Sequence, residues 1–312
     1  MNRFSKLSVR RLVLVGGTLI STGLFIWLIT RQDWLLTWRY LNHIPIWLWP
    51  VSLILIVLGM LFNAWRWYVL LNAQSVPVPA REVVKTVFAG AFASNFLPST
   101  IGGDAFRILS LLRFTPNRTL AVASVVMDRV LNVIAYLSYL PFAWSILGYP
   151  FDLRRQLIIV LPFRSSLPKR VRGFIRRVWD QLFQAFSIWA RQPRTIISAL
   201  IISWFSILIV LVAVWLLAQG LGMPVNLFQV MGVSVITYLI TMLPISINGY
   251  GLREVTETSL YVSLGATLEQ SLSLVLITRL FMLIETLPGA LWLSQILAGQ
   301  KPVLMTQSQK EG

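Results

Sequence analysis

The sequence predicts an all-α protein, a polytopic helical membrane bundle with two repeat-related re-entrant, or broken-helix, elements. Three observations lead to this fold class. Of the 312 residues, 56% are hydrophobic and only 12% are charged, about half the charged fraction of a soluble domain. The apolar residues lie in long continuous runs, which are typical of membrane helices and not of β-barrel strands. Two of these runs break at Pro and Gly in matching places of the two halves.

The first predicted element is a retained membrane span over 12–29. Four basic residues precede it, and the run is too long for the hydrophobic region of a signal peptide, so we expect it to enter from the cytoplasm. The Trp-rich segment 31–43 is predicted to be amphipathic and to lie at the outer interface. A second span is predicted over 44–63, with the aromatic and basic cluster 65–68 as its interfacial anchor.

Residues 83–114 are predicted to form a re-entrant hairpin, because 83–97 is only marginally long enough to cross a bilayer. One long helix, or one and a half, is expected over 119–149. A further crossing over 150–163 is weakly indicated, since two arginines interrupt it. The number of crossings between the two breaks decides the type of repeat. An odd number gives an inverted repeat and an even number gives a parallel one.

A basic connector is predicted over 164–194. Ten Lys or Arg residues and one acidic residue lie between Arg154 and Arg194, and apolar residues recur there at three- and four-residue spacing. This pattern favours an amphipathic helix on the inner leaflet, and a solvated cytoplasmic connector is the alternative.

The second half has three predicted apolar runs and one half-helix between the last two. We therefore predict a single integral membrane domain over 1–312, with repeat-related halves at about 44–150 and 195–298. The apolar runs are 195–218, 227–247 and 271–297, and the half-helix is 252–266.

The two breaks are copies of one motif. Residues 97–107 read LPSTIGGDAFR, and residues 243–253, 146 positions later, read LPISINGYGLR. Pro removes a helix donor and Gly permits unusual backbone angles, so we expect new helices to start near Gly103 and Gly251. Paired breaks in two halves of a membrane protein indicate a binding site between interrupted helices.

Each predicted helix start presents free N–H groups and the positive end of a helix dipole, with Arg107 or Arg253 nearby. This combination favours a phosphate or carboxylate headgroup, which Arg binds bidentately. The alternative is that Pro and Gly only end a span while the Arg reaches the interface. The predicted headgroup-binding residues are Asn95, Gly102, Gly103, Asp104, Arg107, Asn248, Gly249, Gly251, Arg253 and Glu254.

Ionisable residues inside apolar runs form a second set of candidates. Asp128 and Arg129 are adjacent and point about 100° apart on a helix, so we expect their partners across the repeat interface. Glu257 lies one turn after Arg253 and can pair with it. A purely structural ion-pair network is the alternative to a translocation path. The predicted residues of the path or network are Asp128, Arg129, Glu257, Arg279 and Glu285.

Several functions are not expected. The chain has no cysteine and one histidine, His43, in a Trp-rich segment, so we predict neither a metal site nor a cofactor. The net charge of +16 lies in segments that flank apolar runs, which suits anionic lipid headgroups and argues against nucleic acid as a partner. No nucleotide-binding or hydrolase motif is found.

These motifs resemble the lysylphosphatidylglycerol synthase transmembrane-region family of flippase-like integral membrane proteins. The resemblance covers roughly 10–298 and implies a bundle with re-entrant elements, a role in moving or handling lipids, and motif positions for Arg107, Arg253 and Glu254. Some members carry a soluble aminoacyl-transferase domain that makes the lipid; we find no such domain here and expect no synthase activity. The motifs are Asn95-x-x-Pro98, Ile101-Gly102-Gly103-Asp104-x-x-Arg107, Asp128-Arg129, Leu243-Pro244-Ile245-Ser246 and Gly249-x-Gly251-x-Arg253-Glu254.

We therefore expect a flippase-like protein, not an enzyme, that binds and translocates an anionic or phosphate-bearing lipid. The expected partners are this lipid and the bilayer, and the expected location is the cell inner membrane, multi-pass, with a cytoplasmic N-terminus. Two alternatives stay open. One is a membrane-embedded transferase for a lipid-linked substrate, with Asp104 or Glu254 as base. The other is an accessory subunit whose basic segment 164–194 recruits a partner. The oligomeric state and the transport direction are not predicted.

Overall fold

The computed structural model describes residues 34–96, 100–147, 187–242 and 251–298, together with the single residues Gly23 and Thr30. All regular secondary structure in these stretches is helical, which confirms the all-α prediction. The helices are α1 (Trp34–His43), α2 (Leu48–Ala73), α3 (Ala80–Phe96), α4 (Thr100–Leu111), α5 (Arg118–Ser138), α6 (Leu140–Leu147), α7 (Pro193–Gly220), α8 (Leu227–Met242), α9 (Leu252–Ser263) and α10 (Leu268–Ala298).

Within the described stretches, four helices are long and apolar enough to cross a membrane: α2, α5, α7 and α10. Each exceeds or matches the roughly 20 residues that a bilayer core requires. The chain is therefore a helical membrane bundle, as predicted. The predicted span 12–29, the weakly indicated crossing 150–163 and the connector 164–194 up to residue 186 lie outside the described residues.

The helices form two repeats of the same order. α2, α3 and α4 have 26, 17 and 12 residues, and their counterparts α7, α8 and α9 have 28, 16 and 12. The last helix differs between the repeats. α5 ends at Ser138 and α6 continues it after Tyr139, which gives the predicted helix and a half, whereas α10 continues through Pro288.

The two repeats are inverted relative to each other, because their first helices, α2 and α7, pack together and run antiparallel. The Ser206 hydroxyl donates to the Gly59 carbonyl at 2.8 Å, and the Gln74 amide lies 3.4 Å from Gln192 Oε1. Residue numbers therefore rise along α2 as they fall along α7. A two-fold axis that relates these two helices is perpendicular to both, which is the arrangement of an inverted repeat.

Two helical hairpins lie between the spans. α3 and α4 pack antiparallel, with Gly90 and Ser94 against Gly103, and α8 packs against α9 in the second repeat. A Cβ atom at Gly103 would overlap the Gly90 carbonyl and the Ser94 hydroxyl, so this close approach requires glycine. The four helices have 17, 12, 16 and 12 residues, fewer than the roughly 20 of a typical span, which is a length expected of re-entrant elements.

Each hairpin packs against the last helix of the other repeat. Phe88 of α3 packs edge-on against Trp292 of α10, with ring centroids 5.7 Å apart. Phe228 of α8 stacks on Phe142 of α6, with centroids 5.2 Å apart. This reciprocal exchange obeys the same two-fold relation and joins the two halves into one bundle.

Two predicted boundaries are wrong. The second span does not end at residue 63, because α2 continues to Ala73 and includes the cluster 65–68. Arg66 is therefore buried inside the protein and not an interfacial anchor. Polar residues lower the hydropathy of a segment even when buried partners satisfy them, so hydropathy places the end too early. α4 begins at Thr100 and not near Gly103, whose role is the contact with α3.

Candidate functional site

Asp128, in the middle of α5, is a fully buried charged group. It lies about 15 Å along the helix from Arg118 and its side chain is 2% exposed. Arg66 Nε donates to its Oδ1 at 2.7 Å, and Arg107 Nη2 donates to its Oδ2 at 2.9 Å. One carboxylate thus joins α2, α4 and α5. We call Arg66, Asp128 and Arg107 the Asp128 bridge.

Arg66 is a residue of this site that the sequence did not single out. Its Nη1 donates to Asn132 at 3.1 Å and to Ser203 at 3.0 Å, and its Nη2 donates to Asn63 at 2.6 Å. A buried guanidinium needs such partners, because an unpaired buried charge costs several kcal/mol. The signal in the sequence was Asn63, one helical turn before Arg66 in an otherwise apolar stretch.

Arg107 is held inside the protein on its other side as well. Its guanidinium carbon lies 4.2 Å from the ring centroid of Trp67, a cation–π contact. Trp67 is buried, and its indole N–H donates to Ser124 at 3.3 Å. The Arg107 side chain is only 11% exposed. Arg107 therefore fixes the first hairpin to the bundle.

Two further ion pairs connect each hairpin to the next span of its own repeat. Arg129 donates to Asp104 at 2.5 Å, and Arg279 Nε lies 3.0 Å from Glu254 Oε1. The first pair joins residues 25 positions apart, and the second has the same separation. We predicted that Asp128 and Arg129 would each find an ionic partner in the other repeat. This prediction is wrong, because their ion-pair partners lie in the first repeat. Each hairpin folds back onto the following span, which brings the charges of one repeat together.

Arg253 has different surroundings from Arg107. Its Nε donates to Glu257 Oε1 at 2.9 Å, the predicted pairing, and its Nη1 lies 3.5 Å from the sulfur of Met282. Its Nη2 makes no hydrogen bond with any residue of the described stretches. The side chain is 34% exposed, compared with 11% for Arg107. Of the two repeated arginines, Arg253 is the one that offers N–H groups to a ligand.

A cavity of about 90 Å³ lies beside Arg253, between α5, α7, α8, α9 and α10. Its charged lining residues are Arg253 and Glu257, and α7 contributes an apolar wall. Thr237 Oγ1 is buried and has no hydrogen-bond partner among the described residues. Seven lining residues carry hydroxyl groups: Tyr136, Ser234, Thr237, Tyr238, Thr241, Tyr261 and Thr278.

One face of α5 connects the Asp128 bridge to this cavity. Asp128, Asn132 and Tyr136 follow each other at four-residue spacing and form a row about 12 Å long. Asn132 accepts from Arg66, while Tyr136 lines the cavity and stacks on Tyr238 with ring centroids 4.0 Å apart. This row of polar side chains lies between the Asp128 bridge of the first repeat and the cavity beside Arg253 of the second.

The predicted residues next to the two breaks have structural roles. Asn95 donates to the Thr286 hydroxyl of α10 at 3.0 Å and so helps to dock the first hairpin. Gly102 lies in the first turn of α4. Gly251 is the N-cap of α9 with a φ of 77°, a conformation that favours glycine, and α9 begins where the sequence predicted it. Asn248 and Gly249 lie outside the described residues.

The second repeat carries one more carboxylate than arginine near the cavity. Glu254 pairs with Arg279 and Glu257 pairs with Arg253. The additional carboxylate is Glu285 of α10, which is half-buried and makes no ion pair or hydrogen bond with the described residues.

These features define a polytopic α-helical membrane protein, built from an inverted repeat with two re-entrant hairpins and buried ion pairs. The sequence matches the family described as the lysylphosphatidylglycerol synthase transmembrane region over residues 14–148 and 133–289, and the chain belongs to this family. The resemblance inferred from the motifs is thereby confirmed. The chain is also similar to the UPF0104 membrane protein PH1989 of Pyrococcus horikoshii. The two are 20% identical over 301 residues, which cover 83% of this chain and 87% of that protein.

Proposed function

We propose that the protein translocates a phosphate-bearing membrane lipid between leaflets, and that Arg253 binds the phosphodiester group of that lipid in the cavity. The observation that carries this proposal is that Nη2 of Arg253, which makes no hydrogen bond within the described stretches, lies beside a hydroxyl-lined cavity in a membrane bundle. Guanidinium and hydroxyl groups are donors that suit phosphate oxygens. The inverted repeat favours a site that opens alternately to the two sides.

The volume of the cavity suits the polar centre of a lipid. At about 90 Å³ it is far smaller than the roughly 300–1,000 Å³ of pockets that enclose a drug-sized ligand. A phosphate group and a few water molecules fit this space, while the acyl chains stay among the lipids of the bilayer. The cavity would therefore recognise the phosphodiester and leave the rest of the headgroup unenclosed.

A phosphodiester suits this site because its single negative charge can be balanced by the one guanidinium that lines the cavity, Arg253. In this proposal Arg253 makes the headgroup contact. Arg107 occupies the matching position of the first motif copy, and it holds the first hairpin in place.

Transport in sealed vesicles that contain a fluorescent phosphatidylglycerol analogue tests this proposal. Arg253→Gln should slow translocation by about tenfold or more, because it removes a charge-assisted hydrogen bond worth about 1.5–3 kcal/mol. Arg113→Gln is the matched control: Arg113 is exposed just after α4, and its loss should leave transport unchanged. Equal rates for the wild type and a correctly folded Arg253→Gln protein would remove the proposed role of Arg253.

We further propose that the protein catalyses no reaction and lies in the cell inner membrane with its N-terminus in the cytoplasm. Asp104 and Glu254, the carboxylates that could act as bases, are each engaged by an arginine. Incubation of the protein with lipid in detergent should leave the lipid mass unchanged. A new product would favour the transferase alternative, because chemistry does not need a sealed bilayer whereas translocation does.

A further inference from the structure

The two repeats carry different residues just before the arginine of the last span. Asp128 directly precedes Arg129 in the first repeat, and Thr278 directly precedes Arg279 in the second, so a hydroxyl replaces the carboxylate. In the first repeat the Asp128 bridge ties α4 to α2. The corresponding helices of the second repeat are α9 and α7, and among the described residues no ion pair joins them.

The cavity occupies the place where the second repeat would have its bridge. Thr278 of α10, Glu257 of α9, and Val210 and Val214 of α7 line it. The face of α7 is apolar here, so it offers no counterpart to the guanidinium that α2 supplies. Among the described residues, one ion pair consequently joins α9 to another helix, α10, whereas two join α4 to α5. One of these two is made with Asp128, the carboxylate that also binds Arg66 of α2.

We propose that α9 is the moving element of the protein and α4 its fixed counterpart, and that a bound phosphodiester takes the place of the bridge. The phosphate would link Arg253 of α9 to hydroxyl groups of α8, including Thr237, whose buried Oγ1 lacks a partner among the described residues. The role of the lipid rests on the proposed function. The difference in mobility between α4 and α9 rests only on the unequal ionic ties.

The physical basis is that local opening is governed by the contacts that it breaks. Opening α4 separates Arg107 from the buried carboxylate of Asp128 and also breaks the pair of Asp104 with Arg129. Breaking a buried ion pair is strongly unfavourable. Opening α9 breaks one interhelical ion pair of the described residues, between Glu254 and Arg279. A ligand that binds only when α9 is closed must shift the equilibrium toward the closed state.

Hydrogen exchange of the full chain in detergent micelles measures this difference. With galactosyldiacylglycerol, a lipid without phosphate, the amides of α9 should exchange about tenfold faster than those of α4, after correction for intrinsic rates. Phosphatidylglycerol should slow the exchange of the α9 amides by about fivefold and leave the exchange of the α4 amides unchanged. In the Arg253→Gln protein, phosphatidylglycerol should no longer slow the hydrogen exchange of the α9 amides. Asp128→Asn supplies a second readout, because it should raise the exchange of α4 to the level of α9.

Each contrary result is decisive. Equal exchange of α4 and α9 without phosphate overturns the assignment of the moving element. Faster exchange of α9 that phosphatidylglycerol does not slow overturns the role of the ligand as a bridge. If either occurs while Arg253→Gln still blocks transport, this inference fails and the proposed function stands.

Discussion

Replacing Asp128 by Asn tests the energetic role of the bridge. The change keeps the shape of the side chain and removes the one negative charge between Arg66 and Arg107, whose nitrogen atoms lie 2.7 and 2.9 Å from its oxygens. Each pair contributes an attraction of about 4 kcal/mol for charge centres about 4 Å apart at an effective dielectric constant near 20. Desolvation offsets much of this attraction, and removing one partner of a buried pair costs about 3–5 kcal/mol.

The free energy of unfolding can be measured for the wild type and the variant in mixed micelles with an increasing fraction of denaturing detergent. Asp128→Asn should lower it by about 3–5 kcal/mol, because two buried guanidinium groups lose their counter-charge. Asp104→Asn is the matched control on the same pair of helices. Its partner, Arg129, is 54% exposed, so water compensates and the loss should be about 0–1 kcal/mol. A loss below about 0.5 kcal/mol for Asp128→Asn, or equal losses for both variants, would refute this reasoning.

Three other substitutions test the packing of the hairpins by the same unfolding measurement. Gly289→Ala should destabilise by about 1–3 kcal/mol, because the new methyl group overlaps the Phe88 carbonyl; an unchanged stability would contradict the close contact of α3 and α10. Glu254→Gln should cost about 1.5–3 kcal/mol through the lost pair with Arg279, and no loss would mean that this pair is not a tie. Trp67→Phe should cost about 1–3 kcal/mol through the indole hydrogen bond and the weaker cation–π contact; a neutral result would exclude both.

The fold class and both broken elements could be predicted from the sequence, because they follow from hydropathy and from backbone chemistry. Long apolar runs are typical of spans, and Pro with Gly in the middle of such a run favours a break in the helix. The start of α9 after Gly251 was predicted for this reason. The inverted arrangement could not be decided, because it depended on counting crossings, and the antiparallel contact of α2 with α7 provides that answer directly.

The partners of the buried charges could not be predicted. The pairing of these charges depends on how far a hairpin folds back and on which of its faces contacts the bundle. A local sequence pattern determines neither of these. The motif aligns Arg107 with Arg253 at a spacing of 146, whereas the ion pairs align Asp104 with Glu254 at a spacing of 150. The two arginines therefore have different neighbours despite their matching positions. Arg66 was overlooked because adjacent Trp residues made it resemble an interfacial anchor.

Retention of a phosphate-bearing lipid by purified protein tests the central claim most directly, because it asks whether the Arg253 guanidinium holds the ligand. Native mass spectrometry can compare the wild type with Arg253→Gln and Glu257→Gln. The two changes break the same ion pair but have opposite effects on the charge of the cavity. The account predicts that Arg253→Gln loses the bound lipid, while Glu257→Gln, which frees the guanidinium, retains it at least as well as the wild type. Equal retention by all three proteins, or equal loss from both variants, would contradict it.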